Sequence, residues 1–327
     1  MASRKYLDAP TITTFLLTMT LLTFLQLKLP NPMLLLERYV PRGGWLEIFA
    51  LALYASWIFK KSRDPFQSPK WRLRIWLGFS IVFFGQLLLG LAGMDRMLMT
   101  GQLHLPVPAM IVVGPIFRGE RFFMPILFLS TVLLVGPAWC SYLCYVGAWD
   151  GFAASQRNRP MKMPRWRRTV QIIILFAVIV VTMLLRMVGV SGIIAIWMAA
   201  AFGIGGVGLM VSVSRKRGVM THCTSYCPMG ALATWLGKLN PFRIRITSSC
   251  TECGRCSLAC RYDALKMADI KRRQPGSSCT LCGDCLGSCR DQSLEYRFLK
   301  MNPDKARTLF LVIVIVLHTV FLGVARI

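Results

Sequence analysis

The amino-acid sequence predicts an α-helical polytopic membrane protein with a small α+β domain near its C-terminal end. Of its 327 residues, 55% are hydrophobic, and the apolar residues are gathered into long runs separated by basic connections. This pattern is typical of chains that cross a bilayer several times. Eight of the 12 cysteines fall within residues 250–289, outside the apolar runs. The chain therefore divides into a membrane part and a compact cysteine-rich segment.

About seven apolar runs approach the 20 or so residues that a helix needs to cross a bilayer. They are residues 11–29, 43–59, 74–93, 122–139, 169–188, 191–213 and 308–324. A further apolar piece, residues 107–117, is too short to cross and is predicted to be re-entrant or interfacial.

The distribution of basic residues predicts how the chain is oriented in the membrane. If all seven runs cross, 31 of the 39 Lys and Arg residues fall on one side, which the positive-inside rule places in the cytoplasm. The N-terminus and the cysteine-rich segment are then cytoplasmic and the C-terminus is outside, in a membrane of the bacterial inner type. The net charge of +25 is thereby explained by orientation and contact with membrane lipid, and no nucleic-acid partner is expected.

Residues 250–289 contain two runs with the spacing C-x2-C-x2-C-x3-C, namely CTECGRCSLAC and CTLCGDCLGSC. This spacing is the bacterial pattern for [4Fe–4S] clusters, in which the fourth cysteine of each run ligates the other cluster. Zinc sites rarely use such a ladder, and disulfides need an oxidising compartment. We expect a small bacterial-type 2[4Fe–4S] ferredoxin domain, with one cluster on Cys250, Cys253, Cys256 and Cys289 and the other on Cys279, Cys282, Cys285 and Cys260.

The remaining cysteines form two C-x3-C pairs, CSYLC and CTSYC, at a constant offset of 83 residues. Each pair follows two apolar runs, so the membrane part is predicted to contain a duplicated helical-hairpin module. If brought together, the pairs could hold a third cluster or a soft metal such as copper(I). Redox thiols and packed structural residues remain alternatives. The candidate ligands are Cys140, Cys144, Cys223 and Cys227, with His222 as a fifth candidate that more often makes an ordinary hydrogen bond.

The predicted domain organisation follows from these runs and motifs. Helices 1–4 occupy residues 1–139, and the first C-x3-C module occupies residues 140–151. A basic loop and helices 5–6 follow in residues 152–213, then the second module in residues 219–235. The ferredoxin domain is residues 240–300, and a C-terminal helix is residues 307–325.

The segments GPAWCSYLCYVGAWDG and THCTSYCPMGAL resemble the twin C-x3-C-P modules of the NapH, NosR and CcoG group of membrane polyferredoxins, and the two ferredoxin runs complete the same order of parts. The NapH-like arrangement is the most similar. Tyr145 stands where the group has proline, which puts the geometry of the first module in question. The resemblance implies electron transfer between membrane quinol and redox partners, or reduction of metal centres during oxidase assembly.

These features predict an iron–sulfur electron-transfer subunit of a membrane quinol oxidoreductase, acting between the quinone pool and a redox partner protein or complex subunit. The alternative is a copper reductase or assembly factor for a respiratory oxidase. No Rossmann or haem-attachment motif occurs. A quinone site needs polar groups beside apolar surface, and the candidates are Gln86, Asp95, His104, Glu120 and Arg186.

Overall fold

A computed structural model describes residues 8–29, 32–98 and 105–324. The fold is mostly helical, as the sequence predicts. In chain order the α-helices are α1 (Ala9–Lys28), α2 (Leu35–Tyr39), α3 (Gly43–Arg63), α4 (Ser68–Leu91), α5 (Met110–Arg118), α6 (Phe123–Val135), α7 (Tyr145–Ser155), α8 (Arg167–Met187), α9 (Gly192–Leu209), α10 (Arg215–Arg217), α11 (Pro228–Leu236), α12 (Arg255–Ala259), α13 (Met267–Lys271) and α14 (Pro303–Val324).

The chain forms two compact units. The helical unit contains the described residues up to 98 together with residues 304–324, and the cysteine unit contains residues 105–303. All 12 cysteines lie in the cysteine unit.

The helical unit is built from α1, α2, α3, α4 and α14. Thr14 and Thr18 are buried on one face of α1 and donate hydroxyl hydrogen bonds to the carbonyls of Pro10 and Thr14, each at 2.8 Å. Their polar groups are thus satisfied within the helix, as an apolar environment requires. His318 of α14 is fully buried, and its Nε2 lies 3.3 Å from Tyr54 Oη on α3.

Within the described residues, six helices are long and apolar enough to cross a membrane: Ala9–Lys28, Ser68–Leu91, Phe123–Leu143, Arg167–Met187, Gly192–Arg217 and Pro303–Val324. The seventh predicted span, residues 43–59, is helical as part of α3 but is not among them. Glu47 lies in its second turn, where its carboxylate accepts the backbone N–H of Leu36 at 2.7 Å, and Lys60 and Lys61 follow the predicted span. Seven spans therefore remain a prediction.

The ferredoxin segment is closed by a two-stranded antiparallel sheet. Strand β1 (Phe242–Ile246) pairs with β2 (Leu294–Phe298), and Phe242 lies opposite Phe298. Alternate side chains of β1 are buried, which is the period-two pattern of a strand with one face on a core. The sheet joins the two ends of the segment, so that both cysteine runs and the short helices α12 and α13 lie between its strands in sequence.

Candidate metal centres

The two cysteine runs share a backbone shape. Glu252 (φ 57°) and Gly254 (φ 73°) in the first run correspond to Leu281 (φ 55°) and Gly283 (φ 80°) in the second. Left-handed residues on either side of Cys253 and Cys282 turn each run tightly, and such turns let backbone N–H groups point toward an anionic group. The runs are therefore built as two copies of one ligand loop.

The inner ferredoxin site, which we define as Cys260, Cys279, Cys282 and Cys285, surrounds one cavity of about 320 Å³. These are the cysteines that the spacing assigns to one cluster, drawn from both runs. Burial raises the pKa of Cys279 to about 12 and that of Cys285 well above the ordinary thiol value. Thiols in this cavity would give up their protons only to a cationic group, so the site is suited to metal rather than to a free thiolate.

The outer ferredoxin site, which we define as Cys250, Cys253, Cys256 and Cys289, is nearer to solvent, since Cys253 is exposed. The pKa of Cys256 is raised to about 11, first by burial and then by the negative charges of Cys250 and Cys289. That influence places the three sulfurs close together. The backbone N–H of Ser293 donates to Cys289 Sγ at 3.3 Å, and Ala264 does the same for Cys260 in the inner site at 3.3 Å.

The two C-x3-C pairs meet in a third cavity of about 270 Å³. We call it the four-cysteine cavity. Its lining residues are Pro108, Trp139, Cys140, Cys144, Gly147, His222, Cys223, Cys227, Met229 and Gly230. The packing of α5 to α11 thus brings together cysteines that are widely separated in sequence.

Both C-x3-C modules have the same local geometry. In each, one π-helical turn (Trp139–Leu143 or His222–Tyr226) ends at a cysteine in an extended conformation that caps the next helix. Cys144 has φ −82° and ψ 112°, and Cys227 has φ −70° and ψ 119°. The question that Tyr145 raises is thereby answered, since tyrosine and Pro228 begin their helices in the same way.

Helix N-termini face the sulfurs of this cavity. The backbone N–H of Gly147 donates to Cys144 Sγ at 3.4 Å, and the backbone N–H groups of Met229 and Gly230 oppose the rise in the pKa of Cys227. Burial nevertheless raises the pKa of Cys144 to about 12 and that of Cys227 to about 11. Amide donors and helix dipoles favour negative charge on sulfur, and a metal group would supply the compensating positive charge.

Two polar side chains that the sequence did not identify hold the second module. Gln171 of α8 is fully buried and donates through Nε2 to the carbonyls of Cys223 (2.8 Å) and Cys227 (2.9 Å). Asp150 of α7 is also fully buried and accepts the backbone N–H of Cys223 at 2.9 Å. Burial raises the pKa of Asp150 to about 6. A lone polar residue within an apolar stretch was the available signal for both.

The four-cysteine cavity and the inner ferredoxin site are joined directly. Ser141 Oγ donates to the carbonyl of Thr280 at 3.2 Å, and Tyr142 Oη donates to the carbonyl of Cys282 at 3.1 Å. Ser141 and Tyr142 lie between Cys140 and Cys144, so the first module contacts the loop of the inner site. Sequence analysis did not identify this contact.

The described quinone candidates are divided between the two units. Gln86 is buried on α4 with no hydrogen-bond partner for its Oε1, and Asp95 is exposed in the same unit. In the cysteine unit, Glu120 is exposed and Arg186 donates to the carbonyl of Ile116 at 3.0 Å. The fifth candidate, His104, lies outside the described residues.

Comparison with known proteins identifies the class. A 4Fe-4S binding domain family matches residues 109–164 and 193–247, about a third of the chain. Each match contains one C-x3-C pair. The chain is 27% identical over 193 residues to the "Putative electron transport protein YccM" of Escherichia coli (strain K12). That alignment covers 52% of this chain and 51% of YccM, so the chain spans about half the length of this curated relative. No solved structure matches.

Together with the cysteine sites, these matches support a polyferredoxin-like iron–sulfur protein, with helices suited to a multi-pass membrane protein.

Proposed function

We propose that this protein is a membrane-bound electron-transfer subunit of the NapH-like kind that works between the quinone pool and a redox partner protein. It would hold three [4Fe–4S] clusters, in the outer ferredoxin site, the inner ferredoxin site and the four-cysteine cavity. When bound, such clusters supply one-electron oxidation and reduction.

The contact between the first C-x3-C module and the inner site carries this proposal. Tyr142 and Ser141 connect the two cysteine loops through two hydrogen bonds. A second link is Arg167 at the start of α8, which forms a largely buried ion pair with Asp263 of the ferredoxin segment at 3.3 Å. The ferredoxin segment is thus held in a fixed position against the module that leads into the membrane helices.

The likeness of the four-cysteine cavity to the inner ferredoxin site supports a cluster in both. Each is lined by four cysteines, and the space between them is similar, about 270 and 320 Å³. Both matches to the 4Fe-4S binding family also fall on these cysteine pairs.

The exposure of Cys253 supports an exchange point with a soluble partner at the outer site. Cys253 is exposed, whereas Cys285 of the inner site is 6% exposed and Cys140 of the four-cysteine cavity is 6% exposed. Three of the four cysteines are buried in the four-cysteine cavity but only one of four in the inner site. Exposure therefore increases from the membrane module to the outer site, which is the order expected if electrons pass between membrane and solvent.

The basic residues support a cytoplasmic ferredoxin segment. Arg261 of this segment donates to the carbonyls of Arg157 and Gly218, and Arg157 donates to that of Lys216. The basic connections before α8 and after α9 therefore lie on the same side as the ferredoxin segment. By the positive-inside rule, this side is cytoplasmic.

Anaerobic reconstitution into liposomes tests the proposal. Quinol added to the membrane is expected to bleach the visible iron–sulfur absorbance of the oxidised protein, or quinone to restore it after chemical reduction. Clusters that respond to dithionite but to neither quinol nor quinone would contradict quinone coupling. Copper in place of iron in the four-cysteine cavity, lost in Cys223→Ser, would instead favour the copper-reductase alternative.

A further inference from the structure

His222 lines the four-cysteine cavity together with Cys140, Cys144, Cys223 and Cys227. Its side chain is buried, with 5% of the residue exposed, and neither ring nitrogen has a hydrogen-bond partner among the residues that the structure describes. A buried polar group without a hydrogen bond costs roughly 1–3 kcal/mol. Because it shares the cavity with the four cysteines, the imidazole is placed to interact with whatever they hold.

The packing around His222 fixes the direction of its ring. Gly206 of α9 lies against the Nδ1–Cε1 edge, where a Cβ would be 2.8 Å from Nδ1 and 2.7 Å from Cε1. Tyr226 lies beside the ring at a centroid distance of 5.5 Å, and its hydroxyl donates to the carbonyl of Phe202 at 2.9 Å. Neither neighbour accepts a hydrogen bond from the imidazole, so its N–H remains available to a group held in the cavity.

The imidazole carries at least one ring N–H whether it is neutral or protonated. Four cysteines already satisfy the four irons of a cubane cluster. The role left for His222 is therefore that of a hydrogen-bond donor rather than of a ligand.

We propose that His222 donates an N–H···S hydrogen bond from its imidazole ring to the iron–sulfur cluster in the four-cysteine cavity and raises its reduction potential. The inference rests on the proposed function, because it requires a cluster in that cavity. Hydrogen bonds to cluster sulfurs favour the reduced, more negative state and are among the factors that set the potentials of such clusters. His222 is thus a positioning and tuning residue of this centre.

Redox titration followed by EPR tests the tuning. The signal of this centre is identified as the one that Cys227→Ser removes. His222→Phe is expected to lower its potential so that the ratio of reduced to oxidised cluster falls about tenfold at a fixed applied potential, equal to 59 mV for one electron. His222→Gln retains an N–H donor and should restore part of the shift. Tyr226→Phe, whose hydroxyl points to Phe202, is the matched control and should cause no shift.

Pulsed EPR of the wild-type protein gives a readout that needs no variant. The chain has 3 histidines, so ¹⁵N-histidine labelling is selective, and the signal of this centre should show a nitrogen coupling that His222→Gln abolishes. If the wild type binds three clusters but shows no nitrogen coupling, and His222→Phe shows no shift in potential, the inference is wrong and the proposed function stands. If the cavity holds no cluster, with about eight irons per chain, both fail.

Discussion

The inner ferredoxin site and the four-cysteine cavity are two solutions to the same chemical problem. Each surrounds a buried cavity with four cysteines, of about 320 and 270 Å³. The inner site is formed within residues 260–285, where tight local turns position the sulfurs. The four-cysteine cavity joins two distant modules, so its geometry depends on helix packing and on side chains such as Gln171 and Asp150. The difference indicates that the second site is more sensitive to changes far from its cysteines.

Substitution of Gln171 should give the largest difference in iron retention between the two sites. Gln171→Met keeps the side chain's length but leaves the carbonyls of Cys223 and Cys227 buried without their donor. Each unsatisfied carbonyl costs roughly 1–3 kcal/mol. We expect loss of iron from the four-cysteine cavity on mild heating, with the inner site retained, measured by iron analysis and EPR.

The same change at Gln156, an exposed glutamine at the end of α7, is the matched control and should have no effect. Equal loss of iron from the inner site in Gln171→Met would show that the two sites do not differ in the way proposed.

Removal of the Tyr142 hydroxyl should give a smaller effect, confined to the connection between the sites. Tyr142→Phe removes the hydrogen bond to the carbonyl of Cys282, at a cost of about 1 kcal/mol in the free energy of unfolding. We expect slower reduction of the ferredoxin sites by quinol, with all clusters present, measured by rapid-mixing absorbance.

Tyr296 provides a close control, because its hydroxyl donates to the carbonyl of Leu281 in the same loop at 2.6 Å but does not reach the membrane module. Tyr296→Phe should cost similar stability without slowing electron entry. If both variants slow reduction equally, the Tyr142 contact has no special role in the connection.

Differences in solvent access among the three sites should give the smallest effect, which is the order in which the sites lose iron. A water-soluble iron chelator is expected to remove iron from the outer site first, because Cys253 is exposed, and from the four-cysteine cavity last. A time course of chelation with EPR at each point measures this order. Earlier loss from the four-cysteine cavity would contradict the burial described here.

The ligands of the two ferredoxin sites could be assigned from the sequence because they lie close together along the chain. Spacing alone assigns Cys260 to the loop that contains Cys279, and the structure places these cysteines around one cavity. Spacing cannot predict the four-cysteine cavity to the same degree. Nothing in CSYLC or CTSYC specifies the distance between the two cysteine pairs, which is set by the packing of the helices. Repetition of the module at an offset of 83 residues indicated only that the two pairs are equivalent.

Contacts that depend on tertiary packing could not be predicted from the sequence. Gln171 and Asp150 acquire their roles from the approach of α7 and α8 to Cys223, and Tyr142 from the position of the ferredoxin segment. The quinone candidates remain a prediction, with Gln86 and Asp95 in the helical unit and Glu120 and Arg186 in the cysteine unit.

Counting iron and acid-labile sulfide in anaerobically purified protein tests the central claim most directly. Three clusters predict about twelve irons and twelve sulfides per chain, falling to about eight of each in both Cys227→Ser and Cys285→Ser, with different EPR signals lost. About eight irons in the wild type, unchanged in Cys227→Ser and reduced in Cys285→Ser, would contradict a cluster in the four-cysteine cavity.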